Sequence, residues 1–209
     1  MRSFRISAKF ITNILTRTGK VVVDFMNGER VSLEPMSNTS FRGMALLYKI
    51  SSPFCSVKRQ INLLHLKNGM VVVDWGCGTG RHTIPVAQSV GDKGKVFALD
   101  IQPLAIKGIR EKVKKRGLSN VEPLLISSYD TGINNESVDL VLLIDIIPTI
   151  KETKPLFAEI HRLLKKQGRV YISHSHLSME KTRKLVEDSG IFTVSECQGH
   201  DMIIIPVEK

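Results

Sequence analysis

The chain reads as an α/β protein built on a mostly parallel sheet of seven strands that closes with an antiparallel hairpin. Three observations lead there. Short apolar or β-branched runs at 71–75, 96–100, 121–126, 137–145 and 169–173 alternate with segments of helical patterning. The run Val71-Val72-Val73-Asp74-Trp75 passes straight into Gly76-Cys77-Gly78-Thr79-Gly80, a strand feeding a glycine turn. Two final runs, 191–197 and 202–207, flank Gly199 and read as a hairpin.

The elements follow in order. Residues 20–33 have apolar stretches on both sides of Asn27-Gly28, the pattern of a β-hairpin, so residues 1–35 read as a basic, β-rich extension. The first 23 residues hold no acid, a composition also found in organelle transit peptides, and Met36 is an alternative start position. Phe41, Met44, Ala45, Leu46 and Tyr48 fall at helical spacing within 40–49, and Ser51-Ser52-Pro53 breaks that helix. A second helix spans 57–66 and stops at Gly69. After the glycine turn a helix runs over 81–90, a turn over 91–95 and a strand over 96–100. Pro103 opens a Lys/Arg-rich helix that Gly117 ends near Arg116. The strand over 137–145 is apolar on both faces, as a central parallel strand must be. A helix over 156–166, with Gln167-Gly168 as its stop, precedes the strand over 169–173, and a last helix spans 178–189.

At 209 residues the chain is long enough for one full α/β core. Its composition, 42% hydrophobic and 24% charged, is ordinary for a globular protein, and no apolar run has the length of a membrane span. Cys55, Cys77 and Cys197 form no C-x-x-C pair, which argues against a zinc site or a disulfide framework and fits a cytoplasmic setting. Cys77 reads as a small residue tolerated in the turn. The net charge of +10 is uneven: residues 1–69 carry 11 Lys/Arg against 3 Asp/Glu, and residues 70–209 carry 19 against 17. Such a basic third attracts polyanions such as RNA, or is a solvated face.

Spacing narrows the ligand of the turn. A dinucleotide fingerprint needs G-x-G-x-x-G, and counting from Gly76 or Gly78 puts Arg81 or Thr83 in the last position. A phosphate-binding P-loop needs Lys-Ser/Thr after its glycine, and Arg81-His82 stands there. What remains is D-x-G-x-G-x-G, from Asp74 to Gly80. Asp100 ends the next strand 20 residues beyond Gly80, the offset at which such folds present a carboxylate to ribose hydroxyls.

These residues resemble motif I of the class I S-adenosylmethionine (SAM)-dependent methyltransferases. Val138-Asp139-Leu140-Val141 is similar to that family's motif IV, and Glu159 to Gly168 to its E-x-x-R-x-L region. Among its branches the nearest look is of small prokaryotic enzymes of the ubiquinone/menaquinone-methylase type. The resemblance implies a Rossmann-like fold and SAM as cofactor, with residues 36–209 as the methyltransferase domain, lid helices within 40–66 (Arg42 and Tyr48 as lid candidates) and a core over 70–209. By the same resemblance, Gly76, Cys77, Gly78 and Gly80 let backbone approach the methionine end, and Asp74 orients its amino group. Asp100 accepts from the ribose hydroxyls and Ile101 lies against the adenine. An Asp of the family near the adenine amino group is replaced here by Ser127 or Ser128. Asp145 ends its strand beside the sulfonium or caps the next turn.

Methyl transfer is an in-line displacement that depends on proximity and orientation, and an acceptor that carries a proton also needs a base. The chain has neither Asn-Pro-Pro-Tyr nor paired cysteines. Candidate bases sit in Ser173-His174-Ser175-His176, where His174 and His176 touch substrate or are loop residues of no special role; as a metal pair they lack a third ligand. His82 reads as a neighbour of the cofactor. The acceptor implied is a small molecule, quinone-like or lipid-like. RNA or protein reached through the basic N-terminal region is the alternative, and a SAM-binding protein without catalysis the third.

Overall fold

The computed structural model describes residues 35–51, 57–150, 152–174 and 178–207. The hairpin expected over 20–33, Cys55 and His176 lie outside the described residues, as does the side chain of Tyr48. The elements are α1 (Asn38–Ser51), α2 (Val57–Leu63), β1 (Val71–Trp75), α3 (Thr83–Val90), β2 (Lys95–Asp100), α4 (Pro103–Arg116), β3 (Val121–Leu125), β4 (Val138–Ile144), a 3-10 turn (Ile147–Thr149), α5 (Thr153–Leu163), β5 (Leu164–Ser173), α6 (Met179–Glu187), β6 (Phe192–Gln198) and β7 (Asp201–Pro206). They form one seven-stranded sheet in the order β3-β2-β1-β4-β5-β7-β6. Strands β1 to β5 pair in parallel, and β7 runs antiparallel to both β5 and β6.

Alternation along the central strands feeds two cores. Val73, Trp75, Val141, Leu143, Val170 and Ile172 meet Leu156, Phe157, Ile160 and Leu163 of α5 on one face. Val72, Leu140, Leu142 and Tyr171 meet Val86, Ala87 and Val90 of α3 on the other. Period-two geometry sends neighbouring residues to opposite sides, so a central strand must be apolar throughout. The chain leaves β1 first toward β2 and β3, then returns to the opposite side as β4 and β5. The reversal sits between β1 and β4, and a crevice opens outside the carboxyl ends of strands at such a point. Asp74 to Gly80, Asp100, Asp145 and Ser173 all fall at that edge.

Several boundaries differ from the sequence expectation, among them the helix expected over 57–66, which ends at Leu63, and two have a clear local cause. The helix expected over 156–166 ends at Leu163, and Gln167-Gly168 lies inside β5. Gly168 is needed for close approach: a Cβ there would sit 2.8 Å from Leu164 Cδ2 and 2.9 Å from the carbonyl oxygens of Lys165 and Val138, where the β4–β5 register shifts. The helix expected from Arg81 begins at Thr83, because the turn continues through His82.

The motif-like acids outside the crevice are structural. The Asp139 carboxylate accepts the Val71 N–H at 2.8 Å and the Lys165 ammonium at 2.8 Å, joining the starts of β1, β4 and β5. Glu159 accepts from the Thr131 N–H (3.0 Å) and hydroxyl (2.7 Å) and is gripped by both ends of the Arg162 guanidinium, at 2.7 and 2.6 Å. Burial works to raise the Glu159 pKa, and the Arg162 and Thr131 bonds together carry it below its ordinary value. A hollow of about 360 Å³ lined by Asp92, Lys95, Asn120 and Glu122 lies at the amino ends of β2 and β3, away from the crevice.

Candidate active site at the carboxyl edge of the sheet

The glycine turn is hung from β2. The Gly76 and Cys77 N–H groups both donate to the Leu99 carbonyl, at 2.8 and 2.9 Å, and Gly80 N–H donates to the Cys77 carbonyl at 2.8 Å. Gly76, Gly78 and Gly80 have φ of 78°, 50° and 75°, the left-handed region where a side chain is strained. Their reasons differ. A Cβ on Gly76 would fall 2.5 Å from Ile146 Cδ1, and one on Gly80 would collide with Ile109 Cδ1. Around Gly78 nothing lies nearer than 3.9 Å, so its missing side chain leaves open space.

Two carboxylates flank this turn. Asp74, at the end of β1, is 4% exposed and accepts the Thr83 hydroxyl at 2.5 Å. Burial pushes its pKa up to about 6, against the Thr83 bond, and the nearby Asp100 charge adds to the rise. Asp100 accepts the Gly78 N–H at 2.7 Å through one oxygen and the Gln102 N–H at 2.8 Å through the other. Burial raises its pKa too, opposed by those backbone bonds. Each ionised oxygen has a second lone pair, so Asp100 retains capacity for ligand hydroxyls. Two acids beside a glycine turn repel a phosphate and favour a cation. The donor set therefore fits a phosphate-free nucleoside with a positive charge, as SAM is.

The turn carries its own supports. Lys112 of α4 donates its ammonium to the Thr79 carbonyl. Gln102 caps α4, is 4% exposed, and donates its amide to the Met36 carbonyl at 2.6 Å, tying the segment before α1 to the Asp100 end of the crevice. Cys77 packs with Ala98, Ile106 and Ile109. Burial, reinforced by the Asp74 and Asp100 charges, pushes its thiol pKa well up, which leaves it unreactive. Ile101 is half-buried, and Ser127 and Ser128 are exposed just past β3, with Ser128 Oγ 3.5 Å from the Asp130 carbonyl.

On the other side of the crevice, Asp145 follows β4 with φ of 56°, a conformation that Asp tolerates better than most residues. Its N–H donates to the Ser173 carbonyl at 2.7 Å. His174 differs from a substrate-facing base: it is 2% exposed and its Nε2 lies 2.6 Å from the hydroxyl of Thr182 in α6. Alternation past β5 explains this, since Ser173 turns toward α2 and the next residue turns away. His82, at the entry to α3, is half-buried with Nε2 3.0 Å from Gln60 Oε1. Burial, then the Arg81 charge, draws its pKa down to about 4, so the ring is neutral at physiological pH. Gln60 in turn donates to Ser173 Oγ at 3.2 Å. Among the described residues no cluster of three His, Cys, Asp or Glu could hold a metal, and no helix is long and apolar enough to cross a membrane.

Gln60, Thr83 and Gln102 are not legible as site residues in the sequence, and Ser173 enters only as the first residue of the Ser173–His176 stretch. Of the first three only Gln102 carries a signal, as the polar residue before a Pro that opens a helix.

Comparison with known proteins agrees with this geometry. Residues 66–203 match the family model described as a methyltransferase domain. A demethylmenaquinone methyltransferase of Geobacillus stearothermophilus is 30% identical over 105 residues, 50% of this chain and 45% of that protein. A human arsenite methyltransferase is 30% identical over 144 residues, 65% of this chain and 38% of that protein. The chain thus spans less than half the length of these curated relatives. The crystal structure of a SAM-dependent methyltransferase from Aquifex aeolicus superposes with a TM-score of 0.72 at 21% identity, covering 83% of this chain and all of that one. With a family model spanning most of the chain, and a carboxylate-flanked glycine turn at the switch point of its sheet, the chain belongs to the class I SAM-dependent methyltransferases.

Proposed function

We propose that the protein transfers a methyl group from SAM to a small-molecule acceptor, quinone-like or lipid-like in character. The observation that carries this is the pairing of Asp74 and Asp100 with the open glycine turn at the strand ends. The relatives support the acceptor class, since demethylmenaquinone and arsenite, the acceptors in their names, are both small.

In this reading Asp100 accepts from the ribose hydroxyls, Ile101 lies against the adenine, and Ser127 or Ser128 stands near its amino group. Gly76, Cys77, Gly78 and Gly80 give the methionine end room, Asp74 orients its amino group through the turn, and Asp145 borders the sulfonium. Bound SAM supplies a methyl on positively charged sulfur; that carbon–sulfur bond breaks as a lone pair of the acceptor forms the new bond. The chain's part is to hold the two partners in line and exclude water. A proton on the acceptor passes to water or to a side chain at the ends of β4 and β5, where Asp145 stands; His174 lies against α6, and His176, outside the described residues, is the other candidate base. A cytoplasmic setting, and a boundary near residue 35 between a basic extension and the methyltransferase domain, belong to the same reading.

The test is to incubate the protein with methyl-labelled SAM and extract of its own source, then partition the label. Label in the organic or small-metabolite fraction is the expected result. Label in RNA or protein would overturn the small-acceptor reading. It would favour instead the use of the basic first 69 residues as a platform for a polyanion.

A further inference from the structure

We propose that Gln60 is a positioning residue that couples the cofactor turn to the acceptor side of the crevice. The inference rests on the reading of the glycine turn as the SAM site, and it concerns a residue outside that turn.

Gln60 sits in the middle of α2, a helix of seven residues with no fully buried side chain. Ile61 and Leu63 pack partly buried against the core beside the fully buried Leu64, and the polar contacts of the helix add to that packing. Its neighbour Arg59 reaches Asp201 at 3.7 Å but is 64% exposed, so that pair adds little. Gln60 is different. Its carboxamide oxygen meets His82 Nε2 at 3.0 Å and its amide nitrogen donates to Ser173 Oγ at 3.2 Å. One side chain thus joins residues 22 and 113 positions away. His82 is the entry residue of α3 and the last residue of the turn that carries Gly76, Gly78 and Gly80. Ser173 is the last residue of β5, 4% exposed, and its carbonyl holds the N–H of Asp145.

The chemistry of the three groups makes the link directional. A neutral imidazole has one N–H, and the carboxamide oxygen needs a donor, so the His82 proton resides on Nε2. The amide's own N–H groups then have only acceptors to satisfy, and the Ser173 hydroxyl is one. A shift of the turn on cofactor binding moves His82, and through Gln60 it moves the Ser173–Asp145 junction, where the acceptor-side strands end. The same bonds hold α2 across that edge.

The experiment is amide and ring NMR of the full chain titrated with S-adenosylhomocysteine. In the native protein the amides of Gly76 to Gly80 and those of Ser173 and Asp145 are expected to shift together. In Gln60→Ala the turn still responds and the response at Ser173 and Asp145 collapses, with affinity weakened by about three- to tenfold, the scale of one lost hydrogen bond. Because α2 buries no side chain fully, the ligand-free melting temperature of this variant is expected to fall by no more than about 4 °C. Gln60→Glu keeps the length and can accept from both the His82 N–H and the Ser173 hydroxyl. It is expected to restore the distant response and to lift the His82 titration above about 4. An unchanged response at Ser173 in Gln60→Ala would overturn the coupling role while leaving the SAM site intact. Absence of any response at Gly76 to Gly80 in the native protein would overturn the SAM-site reading, and the Gln60 proposal with it.

Discussion

Asp74 is a buried carboxyl whose ionisation the fold resists. Its folded pKa, about 6, lies above the ordinary 3.8, so the folded state binds the proton more tightly than the unfolded chain does. The stabilisation is complete below about 4 and is lost as pH rises through about 6, on the order of 2–3 kcal/mol across that window. Denaturant midpoints of the ligand-free protein are therefore expected to fall between about pH 4 and 6 beyond what other groups impose. Asp74→Asn should flatten that slope; an identical slope in the variant would count against the buried-carboxylate assignment. The glycines allow a sharper separation. Gly80→Ala must displace Ile109 as well as strain the backbone, and is expected to cost about 2–4 kcal/mol in equilibrium unfolding. Gly78→Ala meets no neighbour, so it should cost only the roughly 1–2 kcal/mol of backbone strain yet impair SAM binding disproportionately. Calorimetric titration of both variants, beside their unfolding curves, checks the distinction.

At the scale of elements, the strands were readable because a central parallel strand is buried on both faces and cannot hide its apolar run. β1 matched the expected bounds, and α4 ran from Pro103 to Arg116 with Gly117 at φ of 63° behind it, since Pro and Gly mark a helix locally. Gly168 misled for the opposite reason. A glycine after Lys-Lys-Gln looks like a helix stop, but the carbonyl of Val138, thirty residues earlier, decides its role. The position of His174 past a strand leaves open whether it meets substrate or has no special role, and alternation turns it to Thr182. Amides such as Gln60 and Gln102 have no periodic signature, so their long-range bonds could not be foreseen. The Glu159–Arg162 pair shows how an element end is held to a loop. Arg162→Ala would leave Glu159 with Thr131 alone, and is expected to cost about 1–3 kcal/mol while raising the Glu159 pKa, both measurable by unfolding and by NMR titration.

Across the whole molecule, the sheet reversal between β1 and β4 gathers residues from four strand ends into one crevice, and the charge there is negative although the chain is basic by +10. That local sign is what separates a sulfonium nucleoside from a phosphate-bearing one. The measurement that bears most directly on it is calorimetric titration of the native chain and of Asp100→Asn with SAM and, in parallel, with ATP. SAM is expected to bind the native chain at one site, to lose about tenfold to a hundredfold in affinity in Asp100→Asn, and to be preferred over ATP throughout. Binding of ATP in preference to SAM, or SAM affinity untouched by Asp100→Asn, would contradict the assignment of the carboxylate-flanked turn as a SAM site.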